Sequence, residues 1–62
     1  MEKYTLEAIV GKKVVRGEVW YKVHWKKYPA EEDTWELASW MVEDAPDSVN
    51  AYEVSTFFWT RF

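Results

Sequence analysis

The chain has 62 residues, 8 basic and 11 acidic side chains, one histidine, no cysteine and a formal net charge of −3 at pH 7. That length suits one small domain and excludes a dinucleotide-binding α/β unit or an α/β barrel; a chain this size buries only about 60% of the surface its unfolded form exposes. With no disulfide, and with a lone His24 that leaves a structural zinc short of ligands, stability falls to the five Trp, four Tyr and three Phe residues.

Residues 4–10 alternate, with Tyr4, Leu6, Ala8 and Val10 on one side and Thr5, Glu7 and Ile9 on the other, which predicts a strand that Lys12–Val15 extends. Arg16-Gly17 is a turn, because glycine is free to take a positive φ. Residues 18–25 alternate more cleanly, Val19, Tyr21, Val23 and Trp25 against Glu18, Trp20, Lys22 and His24, and predict a second strand. Pro29 ends it for want of a ladder donor. Glu31-Glu32-Asp33 forms an acidic loop and Thr34–Leu37 a short third strand. Tyr21 and Trp35 are expected in the core, and His24 as a solvated imidazole. A helix over about 45–56 is signalled by Asp44 as its cap, Pro46 in its first turn and Asp47 three residues after Asp44. Val49 and Tyr52 share its inner face, with Val54 or Thr56 continuing it. Residues 57–62 fit a last helical turn, a strand or a tail equally well. The expected strands cover about 3–15, 18–26 and 33–37. The fold class is α+β: a small curled three-stranded antiparallel sheet, an SH3-like partial barrel, packed against one C-terminal helix.

The residue types of catalysis are sparse. The serines lie in no Gly-x-Ser-x-Gly elbow, two glycines make no phosphate loop, and the acids at 31–33 lack the spacing of a calcium loop. The expectation is a binding module with no catalytic residue, metal or cofactor. No apolar run approaches the ~20 residues that span a bilayer, and the charged Met1-Glu2-Lys3-Tyr4 is unlike a secretory leader. Charge is unevenly placed. Residues 1–30 hold seven basic against three acidic side chains, and residues 31–62 hold one against eight. Either the two halves attract one another within the fold, or the acidic half receives a basic ligand. Lys12, Lys13, Arg16, Lys26 and Lys27 are read as a solvated face, with weak nucleic-acid binding at most.

Three aromatics stand at the ends of elements: Tyr4 before the first strand, Trp25 at the end of the second, and Tyr28 in a Lys/Pro turn. Two readings are open. Trp25 shares a face with Val19, Tyr21 and Val23, which makes it core. If the first two strands pair, however, the three rings converge as walls around a small space beside Glu31, Glu32 and Asp33. Three π-faces and a carboxylate suit a soft cation, and quaternary ammonium best of all. Trp20, Trp40 and Phe57-Phe58-Trp59 either pack under the helix or form a patch for a second protein.

The blocks Tyr4–Val10, Val19–Pro29 and Glu32–Glu36, which need no gap between them, resemble the chromodomain over about residues 3–53. The Trp-Lys-x-Tyr-Pro and Asp-Thr-Trp-Glu motifs carry the resemblance. It implies one module over 1–62 that binds a di- or trimethyl-lysine of a histone tail, in chromatin and so in the nucleus. By the same resemblance Tyr4, Trp25 and Tyr28 form the aromatic cage, and Glu32 takes the acidic position beside it. The peptide would lie as an added strand between Glu2–Leu6 and Glu36–Met41, touching Glu2, Lys3, Thr5, Leu6, Glu36, Ser39 and Trp40.

Several positions depart from the family pattern. Lys27 stands for a usual Gly, Leu37 for a usual Pro, and Trp40 for a small polar residue that fastens the peptide backbone. The chain is about two residues longer than usual between Met41 and Tyr52, and the aromatic tail 57–62 has no counterpart. Chromodomain-like modules also occur as targeting tails of retroelement integrases and as dimerising chromo-shadow adaptors. Those are the alternative readings.

Overall fold

The computed structural model describes the backbone of residues 4–60 and the side chains of residues 4–56. Strands β1 (Leu6–Val15), β2 (Glu18–Trp25) and β3 (Thr34–Leu37) form one antiparallel sheet in the order β1-β2-β3. Helices α1 (Ala38–Asp44) and α2 (Pro46–Thr60) follow. The expected sheet and closing helix are present. A seven-residue helix ahead of the closing one went unassigned in the sequence, and residues 57–60 continue α2. The side chains of Phe57, Phe58 and Trp59, and residues 61 and 62, lie outside the described residues.

The β1–β2 hairpin closes over two residues, with Val15 opposite Glu18. Arg16 (φ 52°) and Gly17 (φ 81°) both take positive φ. That is the signature of a turn whose twist matches that of the paired strands. β2 keeps its predicted alternation: Tyr21 and Val23 are buried, and Val19 and Trp25 pack against them. β1 does not. Its register slips between Leu6 and Ala8 and again between Ile9 and Gly11. Each slip inserts an unpaired residue and changes which face the next side chain takes. Ile9, expected on the side opposite Leu6, therefore enters the core with it, while Val10 is half exposed.

Trp35 is not a core residue. It pairs with Lys22, on the face of β2 that points away from the helices. Alternation along a four-residue strand turns Thr34 and Glu36 to the other side. The Trp35 ring lies under Lys13 Nζ, 4.3 Å from its centroid, with Lys22 Nζ at 5.9 Å. Gly11 lies beneath it: a Cβ there would meet the indole at 3.6 Å, an ordinary van der Waals contact, and would crowd the Lys22 Cβ at 3.2 Å. Trp20, opposite Lys13 and Leu37, shares this outer face and does not pack under the helices. His24 is likewise not a free imidazole. Its Nδ1 lies 2.8 Å from Asp33 Oδ1, tying β2 to the loop before β3.

Pro46 explains the break between the helices. Its ring excludes the preceding residue from helical dihedrals, and Ala45 sits at φ −143° and ψ 60°. The Ala45 amide still donates to the Met41 carbonyl at 2.8 Å, and its carbonyl accepts from the Val49 amide at 3.1 Å. Asp44, expected to cap α2, instead ends α1. Val49 and Tyr52 face the sheet as predicted. Thr56 is half-buried, whereas Val54 is exposed.

Among the described residues the core is small: Ile9, Tyr21, Val23 and Met41, with partly buried neighbours packed on it. Polar pins therefore matter. The Tyr21 hydroxyl donates to Glu53 Oε2 at 2.5 Å, and Lys12 Nζ donates to the same oxygen at 3.0 Å. Tyr21 also meets Tyr52 edge-on, with centroids 5.8 Å apart. Burial pushes the Tyr21 phenol up to about 12, and the bond to Glu53 adds to the shift. The Tyr21 hydrogen bond, then Lys12, lowers the Glu53 carboxyl below its usual range.

Stability should follow these two groups at opposite ends of the pH scale. The Glu53 contribution is present above the ordinary carboxylate range and is lost as pH falls through its depressed pKa. The Tyr21 contribution is complete below a pKa near 10 in the unfolded chain and is lost as pH rises toward about 12. Urea unfolding of the wild type and Glu53→Gln across that range should show the wild-type curve dropping more steeply at both ends. Parallel curves would contradict the assignment.

Candidate functional site

Beyond the start of β1 the ladder continues, with the Lys26 amide donating to the Thr5 carbonyl at 2.8 Å. Leu6 stands opposite Trp25. This pairing places Tyr4 beside the end of β2, its ring centroid 5.8 Å from that of Trp25 with the planes at 56°. The chain then turns. The Tyr28 amide donates to the Trp25 carbonyl at 3.2 Å, and Lys27 takes φ 71°, a conformation natural to the glycine that the family pattern expects. Lys27 therefore preserves the turn at some cost in strain. The turn sets Tyr28 5.3 Å from Tyr4, with the planes at 52°. None of these rings stacks flat on another.

A single 3-10 turn, Ala30–Glu32, follows Pro29, and the Glu32 amide donates to the Pro29 carbonyl at 2.9 Å. Its far end is pinned by the contact between Asp33 and His24. Glu32 thereby joins the three rings around a cavity of about 310 Å³, with Thr34 and Glu36 of β3 completing the wall. The exposures separate core rings from cavity-lining rings. Tyr21 is 5% exposed, but Tyr4 is 68% and Tyr28 38% exposed. Trp25 does both: it packs on the core and lines the cavity.

The indole of Trp25 is held by a short relay. Its Nε1–H donates to Thr34 Oγ1 at 2.9 Å, and the Thr34 hydroxyl donates to Glu36 Oε2 at 2.8 Å. Thr34 was not anticipated as a site residue. Its signal lay in the Asp-Thr-Trp-Glu block, where it sits two residues before Glu36 and so shares a strand face with it.

A second cavity of about 560 Å³ adjoins the first and shares Tyr4, Trp25 and Glu36 with it. It runs between Thr5-Leu6 and Trp40, so four of the residues expected to touch a peptide are gathered there. Ser39 is exposed on α1 and does not line the groove. Glu2 and Lys3 lie outside the described residues. One expectation needs correction. Residues 38–41 are helical, so on that side only Glu36 and Leu37 are extended enough to flank a peptide strand. Among the described residues no group of His, Asp or Glu side chains is arranged to hold a metal ion, and no helix is long and apolar enough to cross a membrane.

The arrangement can enclose a weakly hydrated cation: ring faces on several sides, carboxylates at the rim. Thr34→Val should free the indole N–H while leaving the backbone intact. We expect the Trp25 Nε1–H proton resonance to shift and broaden, with recovery in Thr34→Ser. An unchanged resonance in Thr34→Val would show that the relay does not hold the ring.

The family model described as the Chromo (CHRromatin Organisation MOdifier) domain matches residues 4–55. Heterochromatin protein 1 of Drosophila melanogaster is 39% identical over 54 residues, which cover 87% of this chain and 25% of that protein. The chain thus spans about a quarter of the length of this relative.

Proposed function

The chain belongs to the chromodomain family, and we propose from that membership that it is a chromatin reader whose aromatic cage binds a di- or trimethylated lysine of a histone tail. The observation that carries this reading is the set of tilted, solvent-open rings of Tyr4, Trp25 and Tyr28 around one cavity, with Glu32 and Glu36 on its wall. A small domain gains stability by burying such rings, so leaving Tyr4 and Tyr28 open speaks for a ligand.

The chemistry selects the ligand. A methylated ammonium is large, carries its charge diffusely and loses little hydration on entering an apolar box. Each ring face contributes about 0.5–2 kcal/mol to holding it. An unmodified lysine is more strongly hydrated and pays more to enter. Glu32 and Glu36 supply negative potential and would accept the remaining N–H of a dimethylated lysine. The peptide lies extended along the Thr5-Leu6 end of β1, an edge strand whose outer backbone groups are available for pairing. The acids that follow residue 30 draw in a basic tail. The module acts in the nucleus by binding, and it recruits to chromatin whatever longer protein carries it.

Tyr4→Ala and Tyr28→Ala should each weaken binding of a trimethyl-lysine histone peptide roughly 3- to 30-fold. Trp25→Ala should weaken it at least as much. Calorimetry with the matched unmethylated peptide gives the decisive comparison. Equal affinities for methylated and unmethylated peptides would overturn the reading.

A further inference from the structure

We propose that the groove beside the cage is a subsite for an unmodified arginine side chain of the same peptide; this rests on the reading of the cage as a methyl-lysine site. The groove is the larger of the two cavities, about 560 Å³, and it shares the walls of Tyr4, Trp25 and Glu36 with the cage. A peptide that fills one therefore passes the other.

Its chemistry is specific. Leu6, Met41 and Ala45 give it an apolar floor. Trp40 stands at its side and is 55% exposed, an indole face with no core to serve. Glu36 and Asp44 bring two carboxylates, and among the described residues no basic side chain lines the groove. Neither acid forms a salt bridge among the described residues; the ion pairs there are Lys12–Glu53 and His24–Asp33. Glu36 spends one oxygen on the Thr34 hydroxyl and keeps the other.

An apolar floor, an aromatic side and two uncompensated acids complement a long side chain with an apolar stem and a planar cationic head. Arginine matches each part. Its methylenes cover the floor, its guanidinium plane stacks on the indole, and its five N–H donors reach both carboxylates. Lysine lacks the plane and is more strongly hydrated. A nucleic acid would meet two like charges. An extended peptide presents every second side chain to one face, so the arginine stands two positions from the methyl-lysine.

The test is a series of trimethyl-lysine peptides carrying arginine, citrulline, lysine or leucine at the position two before or two after the methyl-lysine. Citrulline keeps the shape and removes the charge. Calorimetry should give arginine over citrulline by roughly fivefold or more at one of these positions. The ratio should shrink toward one in Trp40→Ala and in Asp44→Asn. Both residues are exposed, and circular dichroism checks that the variants stay folded. Equal affinities for arginine and citrulline at both positions, or tighter binding of leucine, would overturn the proposal while leaving the cage intact, provided the series still requires methylation. Loss of methylation dependence throughout would overturn the cage reading, and this proposal with it.

Discussion

The backbone pairing that sets Leu6 opposite Trp25, and runs past it through the Lys26 amide to the Thr5 carbonyl, is the constraint on which the site depends. It carries Tyr4, which precedes the first strand, to the far end of the second. It leaves Tyr28 to return from the other side of a tight turn. Trp25 stands where these paths meet, packed against the core, its N–H fixed by Thr34 and its ring lining the cavity. A change in this pairing register would turn the indole to the opposite face of the sheet and dismantle core and cavity together.

The aromatic residues divide by task. Tyr21 and Tyr52 meet within the fold, where the phenol of Tyr21 and the carboxylate of Glu53 join sheet to helix. Trp35 carries lysines on the outer face of the sheet. Tyr4, Trp25 and Tyr28 wall a cavity instead of filling one. A domain with four buried core residues among those described forgoes useful stabilisation by leaving rings open to water. The charge asymmetry has a matching geography. Lys12, Lys13 and Lys22 belong to β1 and β2, whereas Glu32, Glu36 and Asp44 stand around the cavity and the groove. Part of the acidic half is thus turned toward the cavity and the groove, while Glu53 pairs with Lys12 at the surface.

Legibility in the sequence followed the physics of each element. β2 was readable because it is flanked on both sides, so one face is core and the other is not. β1 was misread after Leu6 because two register slips change its phase, and a bulge leaves no mark on a pattern of period two. Trp35, expected in the core, lies on the outer face of the sheet. Its neighbours on β3 show why: the inward positions belong to Thr34 and Glu36. The helix break was legible in Pro46, but its consequence fell on Ala45, and Asp44 was credited with a cap that the chain does not use. The three cavity-lining rings stood out because each lies at an element's end, where packing needs no large ring. The groove was less visible, since it depends on where α1 begins, and nothing in Ala38–Met41 announces a helix with a capping side chain.

The central claim is that ring faces hold a positive charge, and not merely a greasy shape. The most direct measurement compares one histone-tail peptide carrying trimethyl-lysine with the same peptide carrying the neutral isostere, in which a carbon replaces the quaternary nitrogen. The two fill the same volume. The account predicts that the charged peptide binds at least about tenfold tighter, a difference of about 1.4 kcal/mol, within what ring faces supply to a desolvated cation. Equal affinity for the two peptides would contradict it.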